Sequence, residues 1–521
     1  MNATAPNETT RRTTQIIIAF AAAEVLLHLF TNAFAGYGYF RDELYYIACS
    51  RHLAAGYVDQ PPLASFILFA SIRLFGDSIF ALRLLPAIIA GVTVYLTGLM
   101  AHKMGGSISA VVLACLSVAL APEFLGTNGI YSMNGFDWFF WSLSAYIVLL
   151  ISQTGTSDPR AGRLWLILGV ILGVGLLNKI DMLWFAFSLV VGLLLTPHRK
   201  HLKTKWPYVS AAIAMVLFSP YVIWNITHNF ATLEFIHNAS VLKYSSQNPI
   251  TLITGTMLTM NPVSIPVWLA GIWFLFFNKA GKEYRIIGYI FLVSFLVLVI
   301  NWHSKPEYLA PAFPLLFASG GVMFGRIASH KGFAWTRYAM PVLVSVVGFL
   351  LVPFALPVLP VQSFIKYSQV LGISPSTPEG HQLVTLPQYY ADMFGWENMA
   401  ATVSKVYLSL PPDEREKAVV FAQNYGEAGA IDFFRDKYPL PGVICGHNNY
   451  WYWGPGDTTR TTIIVIGGRK EDHLKSCDSV EEAAVIKSEY AMPYETNLPV
   501  FICRGLKLPI SEIWKSVRFF I

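Results

Sequence analysis

Eleven runs of mostly apolar residues, each near the length a helix needs to cross a bilayer, decide what this chain can fold into. A hydrocarbon core takes about 20 such residues per helix, because a helix satisfies its own backbone polar groups where water cannot. The runs centre on residues 14–36, 79–101, 106–122, 136–152, 162–178, 181–197, 207–226, 263–278, 286–301, 308–325 and 338–357. A twelfth, Pro62 to Leu74, is short and interrupted by Arg73, which suits a segment at the membrane surface better than a span. Charged residues make up 13% of the chain, against roughly 25% in ordinary soluble domains. The expectation is an all-α polytopic membrane protein with about eleven transmembrane helices.

The net charge of +6 invites a nucleic-acid reading until the basic residues are located. They sit in short loops between apolar runs, which makes them a topology signal instead. With the N-terminus inside, the cytoplasmic segments hold Arg11, Arg12, Lys103, Arg160, Arg163, Arg199, Lys200, Lys203, Lys205, Lys279, Lys282, Arg285, Arg326, Lys331 and Arg337. The short outer loops hold only Arg41, Arg51, Lys179, Lys243 and Lys305. Counting Pro62 to Leu74 as a span would move the basic stretch 198–205 outside, against the positive-inside rule. The N-terminal run also admits a rival reading as a cleaved signal peptide, with Ala33-Phe34-Ala35 as an A-x-A site. Neither reading changes the sidedness of the segments after residue 36.

After residue 357 the composition turns polar. KAVVFAQ (417–423) and TTIIVI (461–466) read as buried strands, and Glu427 to Phe434 between them as a helix after an Asn-Tyr-Gly turn. That order predicts a small α/β domain over 358–521, placed outside by span parity. The expected domains are therefore 1–357, carrying a first outer loop at 37–78, and 358–521. Cys445, Cys477 and Cys503 fall in the outer domain, where one disulfide among them and free thiols are equally open readings. Cys49 and Cys115 complete the set, and the five show no metal-ligand spacing.

The chemistry concentrates at the outer ends of the spans. Asp42 and Glu43 stand side by side after the first run, and Asp59 precedes Pro61-Pro62 in the same loop. Carboxylates beside a membrane are expensive, so they carry function or sit in satisfied ion pairs. Arg41 and Arg51 could neutralise them as a solvated loop face; alternatively, one carboxylate faces a cavity while its neighbour fixes the local structure. Asp137 heads a helix, and Lys179 sits in an outer turn, where a lone lysine often snorkels. His303, Lys305, Glu307 and Tyr308 crowd one short loop, more polar groups than capping needs. Carboxylates and cations on one face suit glycosyl transfer from a lipid phosphate, the acid as general base and the cations against the departing phosphate.

RDELYYIACSRHLAAGYVDQPPLASFILFASIRLFG (41–76) and FALRLLPAIIAG (80–91) resemble the signature of the family 39 glycosyltransferases of the GT-C fold. That group includes the protein O-mannosyltransferases, the lipid A aminoarabinose transferase and the Rgt-type galacturonosyltransferases. GLLNKIDML (175–183), FSPYVIWNITHNF (218–230) and KPEYLAPAFP (305–314) resemble the Rgt-like pattern further. The resemblance implies a catalytic base at Asp42 with Glu43 as its partner, and substrate-binding roles for Asp59, Lys179, Lys305, Glu307 and Tyr308; the crowding of its loop adds His303 to the expected substrate-binding residues. It implies an inverting transfer on the periplasmic side of the bacterial inner membrane, from a polyprenyl-phosphate sugar to a lipid, glycan or protein acceptor. Some relatives bind a divalent metal and others do not, and His228, His237 and His303 lie in separate loops. The stretches 386–399, 424–434 and 446–455 look like the periplasmic extension of one bacterial branch.

Two further features stay open. Asn424-Tyr-Gly-Glu-Ala-Gly could hold an anion on its backbone amides or serve only as a fold element. Tyr450-Trp451-Tyr452-Trp453 could stack on sugar or rest on the membrane surface. Two rivals compete with the enzyme. A transporter or flippase of lipid-linked sugar would place ionisable groups near the midplane and repeat its halves, and neither pattern is visible. A scaffold displaying the outer domain gives the loop acids no purpose. Covalent change in an acceptor separates the enzyme from both.

Overall fold

A computed structural model describes residues 8–243, 248–302, 304–375 and 385–521. It divides into two compact units, one of residues 1–35, 80–223 and 246–359, the other of 36–79, 224–245 and 360–521.

Eight helices are long and apolar enough to cross a membrane, and the number reaches 11 if each of three bent helix pairs is one span. All eleven expected runs are represented among them. The bends follow the prolines. Ile108–Ala119 turns by 57° into Pro122–Asn128, Met182–Leu195 by 106° into Pro197–Lys203, and Pro249–Thr259 by 100° into Pro262–Phe276. Proline lacks the N–H that would continue the ladder and pushes its predecessor out of helical geometry, so each run breaks there. Leu63–Phe75 is a separate apolar helix of 13 residues, too short to span. Small residues bring helices of the first unit together: a Cβ on Gly271 would strike the Leu316 carbonyl, and one on Gly320 the Val267 carbonyl.

The second unit is built on a five-stranded sheet. Its strands are β1 (Ala418–Ala422), β2 (Val443–Cys445), β3 (Thr462–Ile466), β4 (Cys477–Ile486) and β5 (Leu498–Leu506), in the order β2-β1-β3-β5-β4. β1 pairs in parallel with β2 and β3, and β5 runs antiparallel to β3 and β4. β1 and β3 are the two strands legible as apolar runs; β4 and β5 add an antiparallel edge that sequence reading did not separate. Three helices share a core with the sheet: α1 (Arg41–Arg51), α2 (Trp396–Ser409) and α3 (Tyr425–Phe433). The first outer loop is part of this core. Leu44 of α1 is fully buried in one cluster with Val420, Ile464 and Ile502. Tyr45, Ala48, Cys49 and Tyr57 join Ala422, Ala428 and Cys445 in a second.

That packing depends on two glycines of α3. A Cβ on Gly429 would come within 3.0 Å of Leu44 Cβ, and a Cβ on Gly426 within 2.5 Å of Arg41 Cγ. Hydrogen in place of a methyl lets the α1 backbone lie against α3 at positions where any larger residue would overpack the contact.

Candidate functional site

The acidic helix is positioned from its first turn. The N-terminal N–H groups of a helix lack intrahelical acceptors. Glu43 supplies one by folding back to accept the Phe40 N–H at 2.9 Å. Its side chain is fully buried, so of the two adjacent acids it is the one that fixes the local structure. Asp42 is left partly open, with 38% of its side chain exposed.

Each of the two loop aspartates is held by a tyrosine. The Tyr425 hydroxyl donates to Asp42 Oδ1 at 2.8 Å, and the Tyr45 hydroxyl donates to Asp59 Oδ1 at 3.0 Å. The two rings lie against one another with centroids 4.7 Å apart. Arg41 completes the group: its Nε is 3.5 Å from Asp42 Oδ1, Nη1 donates to the Tyr494 hydroxyl at 2.8 Å, and the guanidinium lies 5.6 Å over the Tyr425 ring. Burial works against the charge on Arg41, but Asp392, Tyr425, Tyr494 and Asp42 more than offset it, and the group is held charged. The Asp59 end of the loop is tied down as well, since Asn449 Oδ1 accepts the Val58 N–H at 2.6 Å while its own N–H reaches the Tyr45 hydroxyl at 3.3 Å.

A second carboxylate pair lies behind this layer. Asn424 caps α3 by accepting the Gly426 and Glu427 N–H groups at 2.9 and 3.0 Å, so the turn's amides serve the fold. Its amide nitrogen donates to Glu427 Oε1 and to Glu495 Oε1, both at 3.0 Å. Burial pushes the Glu427 carboxyl up from 4.5 to about 8, against hydrogen bonds from the Gln423 and Asn424 backbone. Burial, with the charge of Glu427, raises Glu495 well above the ordinary range. A carboxyl raised on folding binds its proton more tightly in the folded state, so its stabilisation is full below the unfolded value and is lost as pH rises through the folded one. Between pH 6 and pH 9 the thermal midpoint of the purified protein should therefore fall by about 5 K. Glu427→Gln, which keeps an acceptor and loses the titration, should flatten that dependence. An unchanged slope would assign the effect elsewhere.

The first unit carries its own charged cluster. Lys179 follows the helix Pro159–Asn178, and its ammonium sits 2.9 Å from Asp181 Oδ2 and 3.8 Å from Asp137 Oδ2. Both carboxylates are buried, at 0% exposure for Asp137 and 5% for Asp181, and besides the ammonium the two acids interact with each other. The same ammonium lies 5.6 Å over the Tyr308 ring. Lys305 Nζ lies 4.0 Å from Glu307 Oε1.

Of the expected site residues, Asp42, Glu43 and Asp59 thus assemble in the second unit, and Lys179, Lys305, Glu307 and Tyr308 in the first. His303 lies outside the described residues. The snorkelling reading of Lys179 gives way to an inward ion pair with two acids. Among the described residues no group of three or more His, Cys, Asp or Glu is placed to hold a metal ion. All five cysteines are free and buried. The aromatic run is largely structural: the Tyr450 hydroxyl donates to Asp432 Oδ2 at 3.0 Å, and Trp451 and Trp514 exchange indole N–H bonds to each other's carbonyls at 3.0 and 3.2 Å. Tyr425 and Tyr494 were not anticipated; 383 residues separate Tyr425 from Asp42, and no local pattern marks either tyrosine.

A family model described as dolichyl-phosphate-mannose-protein mannosyltransferase matches residues 59–224. The lipid A galacturonosyltransferase RgtD of Rhizobium johnstonii is 25% identical over 213 residues, covering 40% of this chain and 42% of that protein. The lipopolysaccharide core galacturonosyltransferase RgtB of the same organism is 22% identical over 365 residues, covering 67% of this chain and 72% of the relative. The match thus spans less than half the length of the first of these relatives. Among solved structures, ArnT of Cupriavidus metallidurans bound to undecaprenyl phosphate superposes with a TM-score of 0.60 over 93% of this chain and 97% of that one, at 13% identity. At that identity the superposition speaks for the fold.

Proposed function

We propose that this polytopic chain is a glycosyltransferase of the GT-C fold that moves a sugar from a polyprenyl-phosphate carrier to an envelope acceptor, with inversion at the anomeric carbon. The observation that carries the reading is the partly open carboxylate of Asp42, held at a helix start by the Tyr425 phenol and the Arg41 guanidinium. In the reaction Asp42 takes the proton of the acceptor hydroxyl as its oxygen attacks the anomeric carbon. The bond from that carbon to the phosphate oxygen breaks on the opposite face, and the polyprenyl phosphate leaves with the electron pair. A cation stabilises the charge it carries away.

Lys305 is assigned to that phosphate, with Glu307 and Tyr308 shaping its surroundings. Lys179 is the counter-charge of Asp137 and Asp181, and its contribution to the phosphate comes after that duty. Glu43 holds the helix start and Asp59 the far end of the loop. The ArnT structure holds undecaprenyl phosphate, and RgtD and RgtB are named for galacturonosyl transfer to lipid A and to the lipopolysaccharide core, which supports a carrier lipid as donor and a lipopolysaccharide as acceptor. The charge pattern of the loops supports an N-terminus in the cytoplasm, and a sheet domain and active site in the periplasm, of a bacterial inner membrane.

Mass spectrometry of envelope lipids and glycans, from cells with and without this protein, tests the proposal. A mass difference of one sugar on a defined acceptor is the expected result. Unchanged acceptors, with carrier-linked sugar accumulating on one face of the membrane, would reassign the chain to transport.

A further inference from the structure

We propose that Tyr425, contributed by the sheet domain, is a positioning residue for the base: its phenol keeps the Asp42 carboxylate aimed. The inference rests on the reading of Asp42 as base and adds to it where the base's environment comes from. Asp42 is 38% exposed, and such a side chain turns through its rotamers unless something holds it. Its partners among the described residues are the Tyr425 hydroxyl at 2.8 Å and Arg41 Nε at 3.5 Å, and only the first is at hydrogen-bond length. A phenol donating to a carboxylate is a charge-assisted bond, about twice as strong as a neutral one.

The donor itself has little freedom. The Tyr425 ring lies 4.7 Å from Tyr45 and 4.8 Å from His447, and the residue is 7% exposed. Its N–H reaches His447 Nδ1 at 3.4 Å, and it opens a helix that Asn424 caps. His447 Nδ1 is the acceptor there, so the ring proton sits on Nε2, which donates to the Ile521 carbonyl at 2.9 Å. The phenol is thus fixed from three sides, while its proton points at the acid. The neighbouring Tyr45, tilted 33° against it, holds Asp59 in the same manner, so one aromatic pair sets the placement of both loop aspartates.

The consequence is specific to the chemical step. Removing the hydroxyl while keeping the ring frees the base to turn through its rotamers, which slows the reaction of bound substrates and leaves their capture alone. The experiment uses membranes of a strain lacking its own copy and expressing each full-length variant. The rate at which the sugar mass appears is followed as envelope lipid of the same strain is added in increasing amount. Tyr425→Phe should lower the saturating rate about tenfold and leave the half-saturating amount of lipid unchanged. 3-Fluorotyrosine placed at 425 by suppression keeps ring and hydroxyl, folds where Phe does not, and should hold the saturating rate near wild type. A raised half-saturating amount at an unchanged saturating rate, or kinetics that coincide with wild type in Tyr425→Phe, would overturn the positioning role. Asp42→Asn in the same membranes separates the two levels: if it transfers normally the base assignment falls and Tyr425 with it, whereas silence there with wild-type kinetics at 425 removes this inference alone.

Discussion

Asp42→Asn should lower the rate of sugar transfer by about 10²- to 10⁴-fold, the range in which general-base catalysis contributes, while the protein folds as before. The substitution keeps size and leaves an amide oxygen to accept the Tyr425 hydroxyl, so the contact at 2.8 Å persists. What is lost is a group able to take a proton. Because the side chain is partly exposed and packs into no core cluster, the change in stability should stay within about 0.5 kcal/mol, as for other surface substitutions. Both quantities are measurable on one preparation, the rate by sugar mass on the acceptor and the stability by thermal unfolding in detergent. A folded variant with full activity would remove Asp42 from the chemistry.

Lys179→Met should have the largest effect on the membrane unit itself. The ammonium is the sole positive charge within 4 Å of the buried Asp137 and Asp181 among the described residues. Deleting one partner of a buried ion pair leaves an uncompensated charge and costs about 3–5 kcal/mol. Folded protein recovered from membranes should therefore drop steeply. Adding Asp137→Asn and Asp181→Asn removes the stranded charge, and accumulation should return. Transfer measured on that triple variant then reports what Lys179 does beyond its ion pair with the two acids. If the single variant accumulates normally and loses only transfer, the lysine serves the substrate phosphate and the carboxylates are satisfied by other means.

The spans were legible because membrane helices are selected for length and apolarity, properties carried by single segments. Even the helices bent at Pro122, Pro197 and Pro262 left their apolar runs readable, although the bend angles depend on how neighbours pack. Leu63–Phe75 was legible by its shortness and by Arg73. Asp42, Glu43 and Asp59 stood out as charges where charges are costly. Their division of labour was only half visible: adjacency suggests that one acid faces outward, but the fold-back of Glu43 onto the Phe40 N–H decides which. The tyrosines were hidden for a different reason. Tyr425 lies in a turn whose sequence suggests work for backbone amides rather than for a phenol, and its meaning arises from a fold that brings α3 against α1. Lys179 misled in the opposite direction, since in sequence it stands beside Asp181 but 42 positions from Asp137, the deeper of its two counter-ions. β4 was obscured because much of its length is exposed, which breaks the apolar run that marks a buried strand.

The close seat of α1 on Gly426 and Gly429 makes the acidic loop and the sheet domain a single heritable module, although several hundred residues part them along the chain. A recombinant cut only at residue 360 would marry one relative's acids to another's glycine platform, and mismatched side chains there would pry the helix away. Productive exchange between relatives has to carry 36–79, 224–245 and 360–521 together. Grafting that unit is thus a three-piece operation.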